Sequence, residues 1–208
     1  MTTELEGLVR LTKGSVKPAA EMMARAFEEY PLTAYFYPDG AARKDKIARG
    51  YRSLLRFGVC YGEVYATSLA FEGAAMWLYS ENSRRTLWRN IRCGNLSMLF
   101  SQFGPQRTRL RAYLAFSMAM HKRAAPFRHM YLQLLAVDPV HQGEGLSGRL
   151  LRPMFQRIDR EGLPCFLETQ AEKNVAIYRH FGFRVVEAGI VPGSNVHSWA
   201  MLREVGGK

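Results

Sequence analysis

Residues 132–148 read LQLLAVDPVHQGEGLSG and form the most informative segment of this chain. An apolar run, which predicts a strand, leads into a turn, a glycine-rich loop and the start of a helix. This order directs several backbone N–H groups, and the positive end of a helix dipole, toward one point. We therefore expect the loop to bind an oxyanion-rich group such as a pyrophosphate.

The spacing Gly143-x-Gly145-x-x-Gly148 also fits a dinucleotide-binding fingerprint, and Glu168 lies where a ribose-binding acid would be expected. Two features disfavour this interpretation. The glycines of that motif follow the strand directly, whereas residues 138–142 intervene here and include a proline. Beyond Glu168 the chain is also too short for the further strand–helix units, since one takes about 30 residues. Binding of a nicotinamide or flavin dinucleotide remains a minor alternative.

A different motif fits the same loop more closely. Gln142, Gly145 and Ser147 resemble the acetyl-CoA loop of the GNAT acetyltransferase superfamily, in which Gln or Arg is followed by two residues, Gly, one residue and Gly or Ala. Serine departs from the last position but is small enough to let phosphate approach the backbone. Residues 174–183, NVAIYRHFGF, resemble the final helix and turn of that superfamily, with Asn174 and Tyr178 at the usual spacing.

Three shorter segments extend the resemblance to one subgroup. Residues 27–31 (FEEYP), 163–169 (LPCFLET) and 198–202 (SWAML) are similar to the subgroup that contains puromycin N-acetyltransferase. The similarity covers most of the chain loosely and residues 130–185 closely. Residues 30–125, where the amine should bind, carry no recognised motif, so the acceptor amine stays open.

The resemblance implies an acetyl-CoA-dependent N-acetyltransferase that moves the acetyl group directly from the thioester to a primary amine of a small molecule. The backbone at the end of the central strand would bond the pantetheine arm, and the loop would bond the pyrophosphate. The residues that the resemblance assigns to cosubstrate binding are Leu135, Ala136, Val137, Gln142, Gly143, Glu144, Gly145, Leu146, Ser147 and Asn174.

Two side chains are candidates for proton transfer. Tyr178 is the expected general acid, because a phenol keeps its proton at neutral pH and is able to donate it to the departing thiolate. Glu168, at the end of a predicted strand, would take the amine proton or bind a cationic substrate; pairing with an arginine is the structural alternative. Tyr30, Tyr35 and Trp77 are candidates to line the amine pocket, with core packing as their alternative.

Composition indicates one globular domain over residues 1–208, with a formal net charge of +11. The densest basic cluster (Arg84, Arg85, Arg89 and Arg92) is interpreted as a solvated helix face, and no nucleic-acid motif accompanies it. The three cysteines and five histidines show no metal-ligand spacing. We expect a cytoplasmic protein with no metal, membrane or specific nucleic-acid partner, as a monomer or homodimer. The functional alternatives are a protein or peptide acetyltransferase and a non-enzymatic CoA- or nucleic-acid-binding protein.

Hydrophobic periodicity predicts an α/β domain, a mixed sheet flanked by helices on both faces. Strands 130–137 and 164–168 should be parallel, since a helix connects them. The other predicted strands are 8–11, 63–68, 74–79, 185–190 and 198–202, the last two as an antiparallel pair. Helices are predicted at residues 15–27, 42–57, 83–92, 105–121, 146–158 and 171–180, with a kink at Pro153 unless packing absorbs it.

Overall fold

A computed structural model describes residues 5–38, 43–95 and 105–207. Within them, seven strands form one mixed sheet in the order β1-β2-β3-β4-β5-β7-β6. The strands are β1 (Val9–Arg10), β2 (Glu63–Ala66), β3 (Gly73–Tyr79), β4 (Met130–Val137), β5 (Cys165–Thr169), β6 (Arg184–Ile190) and β7 (His197–Arg203). The predicted mixed α/β architecture is confirmed, including the parallel pairing of β4 with β5 and the antiparallel pair β6 and β7.

Six of the helices in the described residues correspond to predicted ones, but the short helix at residues 31–36, which begins at a proline, was not predicted. The helices are α1 (Val16–Ala26), α2 (Pro31–Phe36), α3 (Arg43–Tyr61), α4 (Leu87–Arg92), α5 (Pro105–Ala124), α6 (Leu146–Arg160) and α7 (Glu172–His180). The predicted start of the second helix, Ala42, lies outside the described residues. Helix α4 starts four residues later than predicted because the Thr86 side chain accepts a hydrogen bond from the Arg89 N–H and caps its first turn.

Helices cover both faces of the sheet, and alternate side chains of β3 pack against the two layers. Because successive side chains of a strand point to opposite faces, Ala75 and Trp77 face the core under α6, while Met76 and Leu78 face the core under α1 and α3. Helix α5 lies on the α1 side, where Met120 packs in one cluster with residues of β5 and β7.

Helix α6 contains Pro153 and is one continuous helix from Leu146 to Arg160. A proline removes one backbone hydrogen bond from a helix interior. Here Leu151, Met154 and Phe155 next to it are buried in the core, and this packing offsets the lost bond.

Strands β4 and β5 separate partway along their length, and this separation positions the site. They pair only from Met130 to Leu132 on the β4 side, whereas β3 follows β4 as far as Val137. Residues 133–137 of β4 are therefore half-buried, except for the buried Ala136, because their β5-facing edge has no partner strand. A bulge accompanies the separation: Met76 pairs with Leu134 and Trp77 with Leu132, which leaves Gln133 without a partner on β3.

Candidate active site

A cavity of about 310 Å³ lies at the opening between β4 and β5. Its floor is formed by residues 131–135 of β4 and the end of β5, and its walls come from α2, α3, α5, α7 and the segment between α1 and α2. The walls are rich in aromatic rings, among them those of Tyr30, Phe36, Tyr37, Tyr51, Tyr113 and Tyr131. A concave, mostly apolar pocket with a few polar groups is typical of a small-molecule site.

Glu168 is the acidic residue among those described in the cavity lining. The Ser117 hydroxyl donates a hydrogen bond of 2.6 Å to Oε2, while Oε1 is buried and has no partner in the described part of the chain. Burial raises the pKa of Glu168 to about 7, and the charge of Glu187 adds to this, although the Ser117 bond acts in the opposite direction. Glu168 forms no salt bridge with an arginine among the described residues. A carboxylate with this pKa is able to accept a proton near neutral pH.

Tyr178 approaches the same cavity from α7. The residue is 7% exposed, and its ring packs edge-on against Phe183 with ring centroids 5.8 Å apart. Burial raises the pKa of Tyr178 above its ordinary value, so that the phenol stays protonated at neutral pH. Asn174, one turn earlier on α7, lines the cavity and donates from Nδ2 to Thr169 Oγ1 at 3.4 Å.

The glycine-rich loop, which the sequence predicts to bind an anion, has a backbone conformation that favours glycine and leads into α6. Gly143 and Gly145 have φ angles of 91° and 74°, which favour glycine, and Gly145 is the N-cap of α6. The turn before the loop is fixed by Asp138, which accepts from the Val140 N–H at 3.4 Å and from Arg25 Nε at 3.0 Å. The backbone N–H groups of residues 143–147 form no hydrogen bond within the described ranges, so they are available to a ligand.

The side chains of this loop have local roles. Gln142 donates from Nε2 to the Val137 carbonyl at 3.4 Å, and the exposed Glu144 lies 3.1 Å from His141 Nδ1. Leu146 is buried in the core, and Ser147 is half-buried. What the loop offers to a ligand is therefore mainly its backbone.

The end of β4 runs from the cavity toward this loop. Leu135 lines the cavity, whereas the Ala136 side chain is buried on the α1 side of the sheet. Ala136 and Val137 pair with β3 on one edge only. Their other edge faces the opening, as the resemblance implies for the strand that bonds pantetheine.

The three candidates for the amine pocket have different locations. Tyr30 lines the cavity, but its hydroxyl accepts from the Gln170 N–H at 2.7 Å and lies 3.1 Å from Thr169 Oγ1, so it fixes the end of β5. Tyr35 points away from the cavity lining and donates to the Pro192 carbonyl at 3.1 Å. Trp77 is 1% exposed and packs edge-on against Phe155. It is a core residue, because alternation along β3 directs its side chain to the α6 face.

Several residues that line the cavity or contact its lining escaped the sequence analysis. Ser117 and Tyr113 are one turn apart on α5, a polar spacing that was visible in the predicted helix. Gln133 was visible as the amide in an otherwise apolar strand, but its bulge was not. Arg85 was interpreted as part of a solvated helix face; it instead precedes α4, lines the cavity and donates to Ser53 Oγ at 3.2 Å.

Two classes of site are not found in the part of the chain that the structure describes. No group of three or more His, Cys, Asp or Glu side chains is arranged to hold a metal ion there. Among the same residues, no helix has the length and apolar character needed to span a bilayer.

Known proteins resemble this chain in sequence and in fold. Residues 117–192 match the family model described as acetyltransferase (GNAT) domain. An uncharacterized N-acetyltransferase of Schizosaccharomyces pombe is 29% identical over 119 residues, which are 54% of this chain and 47% of the relative. The chain thus matches about half the length of this curated relative.

Solved acetyltransferases share the fold over nearly the whole chain. One from Corynebacterium glutamicum, titled histone acetyltransferase HPA2 and related acetyltransferase, is 16% identical with a TM-score of 0.65, covering 95% of both chains. The polyamine N-acetyltransferase of Drosophila melanogaster, which forms N-acetylagmatine, is 15% identical with a TM-score of 0.61, covering 95% of this chain and 98% of that one. The fold is that of acyltransferase enzymes. The chain is thus similar to GNAT acetyltransferases in the sequence of residues 117–192 and in its fold.

Proposed function

We propose that this protein is an acetyl-CoA-dependent N-acetyltransferase that moves the acetyl group directly from the thioester to a primary amine of a small molecule. One observation carries the proposal. The opening between β4 and β5 brings the unpartnered Glu168 Oε1 and the buried Tyr178 to one cavity, and β4 leads from there to a loop with five free N–H groups. An amine acceptor and a phosphate-bearing acyl donor need these two features side by side.

The residues present fit acetyl-CoA as the second substrate. The N–H groups of residues 143–147, at the N-terminus of α6, would bind its pyrophosphate. The unpaired edge of β4 near Leu135 and Val137 would bond the amide groups of the pantetheine arm. Acetyl-CoA supplies an activated acyl group, and the chain itself supplies binding, orientation and proton transfer.

Two proton transfers follow from the site. Only a neutral amine is nucleophilic, so Glu168 accepts the proton of the bound ammonium, directly or through water. Tyr178 holds a proton in the same cavity and donates it to the departing thiolate. The Ser117 hydroxyl bonds the far oxygen of Glu168, which orients Oε1 for its role.

A small amine is favoured over a protein or peptide substrate. An open, acidic cleft would favour a protein or peptide substrate, whereas this cavity is lined by aromatic rings and contains a single acidic residue among those described. The titles of fold neighbours, which include agmatine and arylalkylamine N-acetyltransferases, support small amines as the class. The puromycin N-acetyltransferase-like subgroup, the cytoplasmic location and the state of monomer or homodimer remain predictions from sequence.

The variant Tyr178→Phe tests the mechanism. We expect its kcat on an accepted amine to fall by roughly 100-fold, the scale of one lost general acid, with nearly unchanged acetyl-CoA affinity. Tyr65→Phe is the matched control, because Tyr65 is also buried but bonds Glu63 away from the cavity. Full turnover by Tyr178→Phe would remove Tyr178 from the mechanism.

A thermal-shift comparison tests the cosubstrate. A ligand that binds only the folded state stabilises it according to its affinity. We expect acetyl-CoA and CoA to raise the melting temperature, and NADH and ATP to have little effect. A shift with NADH alone would refute acetyl-CoA as the cosubstrate and restore the dinucleotide alternative.

A further inference from the structure

Resting on the proposed function, we propose that the cavity selects a primary monoamine carried on a compact aromatic body, with its ammonium group held by Glu168 and Gln133, and rejects diamines and polyamines. Three features of the cavity support the proposal: the charges of its lining, two unpartnered oxygens and its aromatic walls.

The charges of the lining fit one ammonium group. Glu168 is the single acidic side chain among the described residues that line the cavity, and Arg85 places a positive charge in the same lining. A buried ammonium is costly unless it is paired with an opposite charge. The second ammonium of a diamine would have no carboxylate here and would be repelled by the guanidinium of Arg85.

Two buried oxygens in the cavity need donors. Glu168 Oε1 and Gln133 Oε1 are both inaccessible to solvent and have no hydrogen-bond partner in the described ranges. An unsatisfied buried acceptor is unfavourable, and a ligand that donates to it removes that cost. A primary ammonium carries three N–H donors and is able to serve both oxygens, whereas an alcohol of the same shape donates only once.

The walls fit an aromatic body. Tyr113 comes from α5, Tyr51 from α3 and Phe36 from α2, so rings surround the cavity from three helices. Phe36 and Tyr113 already pack edge-on, with ring centroids 5.6 Å apart. Aromatic rings stack favourably on a further ring and attract a nearby cation through their faces. A volume of about 310 Å³ is at the small end for ligand pockets, which favours a compact ligand.

Binding measured without an acetyl donor tests this selectivity independently of catalysis. Isothermal titration calorimetry at pH 8 would compare 2-phenylethylamine, its neutral analogue 2-phenylethanol, agmatine and spermidine, with and without saturating CoA. We expect 2-phenylethylamine to bind at least about tenfold more tightly than each of the other three, because only it combines one ammonium with one ring. Equal or tighter binding of agmatine, spermidine or the alcohol, or no binding of the monoamine in either condition, would overturn the proposal.

Single substitutions test whether Gln133 Oε1 and Glu168 Oε1 each bind the ammonium group. Gln133→Leu should weaken 2-phenylethylamine binding by about tenfold, and Glu168→Gln by about 100-fold, since the latter removes a charged partner. Glu204→Gln is the control: this exposed carboxylate pairs with Arg184 outside the cavity, and its loss should leave binding unchanged. Unchanged binding by Gln133→Leu would exclude its part in recognition, and circular dichroism would verify that each variant is folded.

Different results would refute the proposed acetyltransferase function and the proposed amine selectivity. If the monoamine binds selectively but is never acetylated, the proposed function is wrong and the selectivity of the cavity stands. If acetylation occurs but agmatine or spermidine is the better substrate, the proposed acetyltransferase function is upheld and the proposed selectivity is refuted.

Discussion

Replacing Glu168 by glutamine should make the protein more stable at alkaline pH while it weakens amine binding. Glu168 has its pKa raised from 4.5 to about 7, chiefly because its ionised form loses solvation on burial. At about 1.4 kcal/mol per pKa unit, keeping this carboxylate ionised in the folded protein costs up to about 3 kcal/mol above pH 7. Glutamine keeps the shape and an acceptor for Ser117 but carries no charge.

The sign of the pH dependence follows from the two states. Between pH 4.5 and 7 the unfolded chain releases the proton of Glu168 while the folded chain retains it, so the wild-type protein loses stability as the pH rises through this window. The variant lacks this loss. Its advantage in free energy of unfolding should therefore grow by roughly 2.5 kcal/mol between pH 5 and pH 8.

Urea unfolding of both proteins at several pH values would measure this difference, with Glu204→Gln as the control for an exposed carboxylate. A constant difference between wild type and Glu168→Gln across that range would refute the reasoning. It would mean that Glu168 is solvated well enough to ionise at its ordinary pKa, and its role as a base near neutral pH would lose its physical ground.

Two further predictions concern the same site. The kcat/KM for amine acetylation should rise with pH through about 7 as Glu168 ionises. Ser117→Ala should move this midpoint upward by roughly half a unit or more, because the hydrogen bond from Ser117 stabilises the ionised carboxylate and the variant lacks it. A midpoint that stays in place would refute the positioning role of Ser117. Gly145→Ala and Gly162→Ala should each destabilise the fold by about 1 kcal/mol, since both glycines have positive φ and open space around them. Only Gly145→Ala should also weaken acetyl-CoA binding in a titration, and equal effects of both variants on binding would argue against the loop as the phosphate site.

The fold was largely predictable because its signals are local. The apolar run that ends at Val137 gave β4 with its observed bounds, and the apolar stripe around Leu150 and Met154 gave α6 on one face of the sheet. The least accurate helix boundaries were the end of α3, predicted at residue 57 and observed at Tyr61, and the start of α4, where the cap at Thr86 outweighed the helical pattern before it. Such a cap competes with alternatives of similar energy, so a pattern of hydrophobic residues does not resolve it.

The candidate site was predictable only in part. Glu168 and Tyr178 were selected from sequence as chemically suitable groups near the end of a strand and on the last helix, and the structure brings both to one cavity. Trp77 was selected by residue type alone and lies in the core. Gln133 was visible in the sequence only as an amide in an apolar strand, and its unpartnered oxygen was not predictable, because it depends on a bulge that exists only when β3 pairs with β4.

The sequence by itself predicted most of the order of elements, a glycine-rich loop at the start of α6 and side chains chemically suited to proton transfer, since each depends on residues within a few positions of one another. Three features depend on the tertiary structure alone. The pairing of β4 with β5 ends at Leu132, and the Ser117 hydroxyl of α5 donates to one oxygen of Glu168. Arg85 lines the cavity. These features join residues far apart in the chain, and the pKa of Glu168 depends on how completely those neighbours exclude water. Burial of this kind is a property of packing, and no local pattern encodes it.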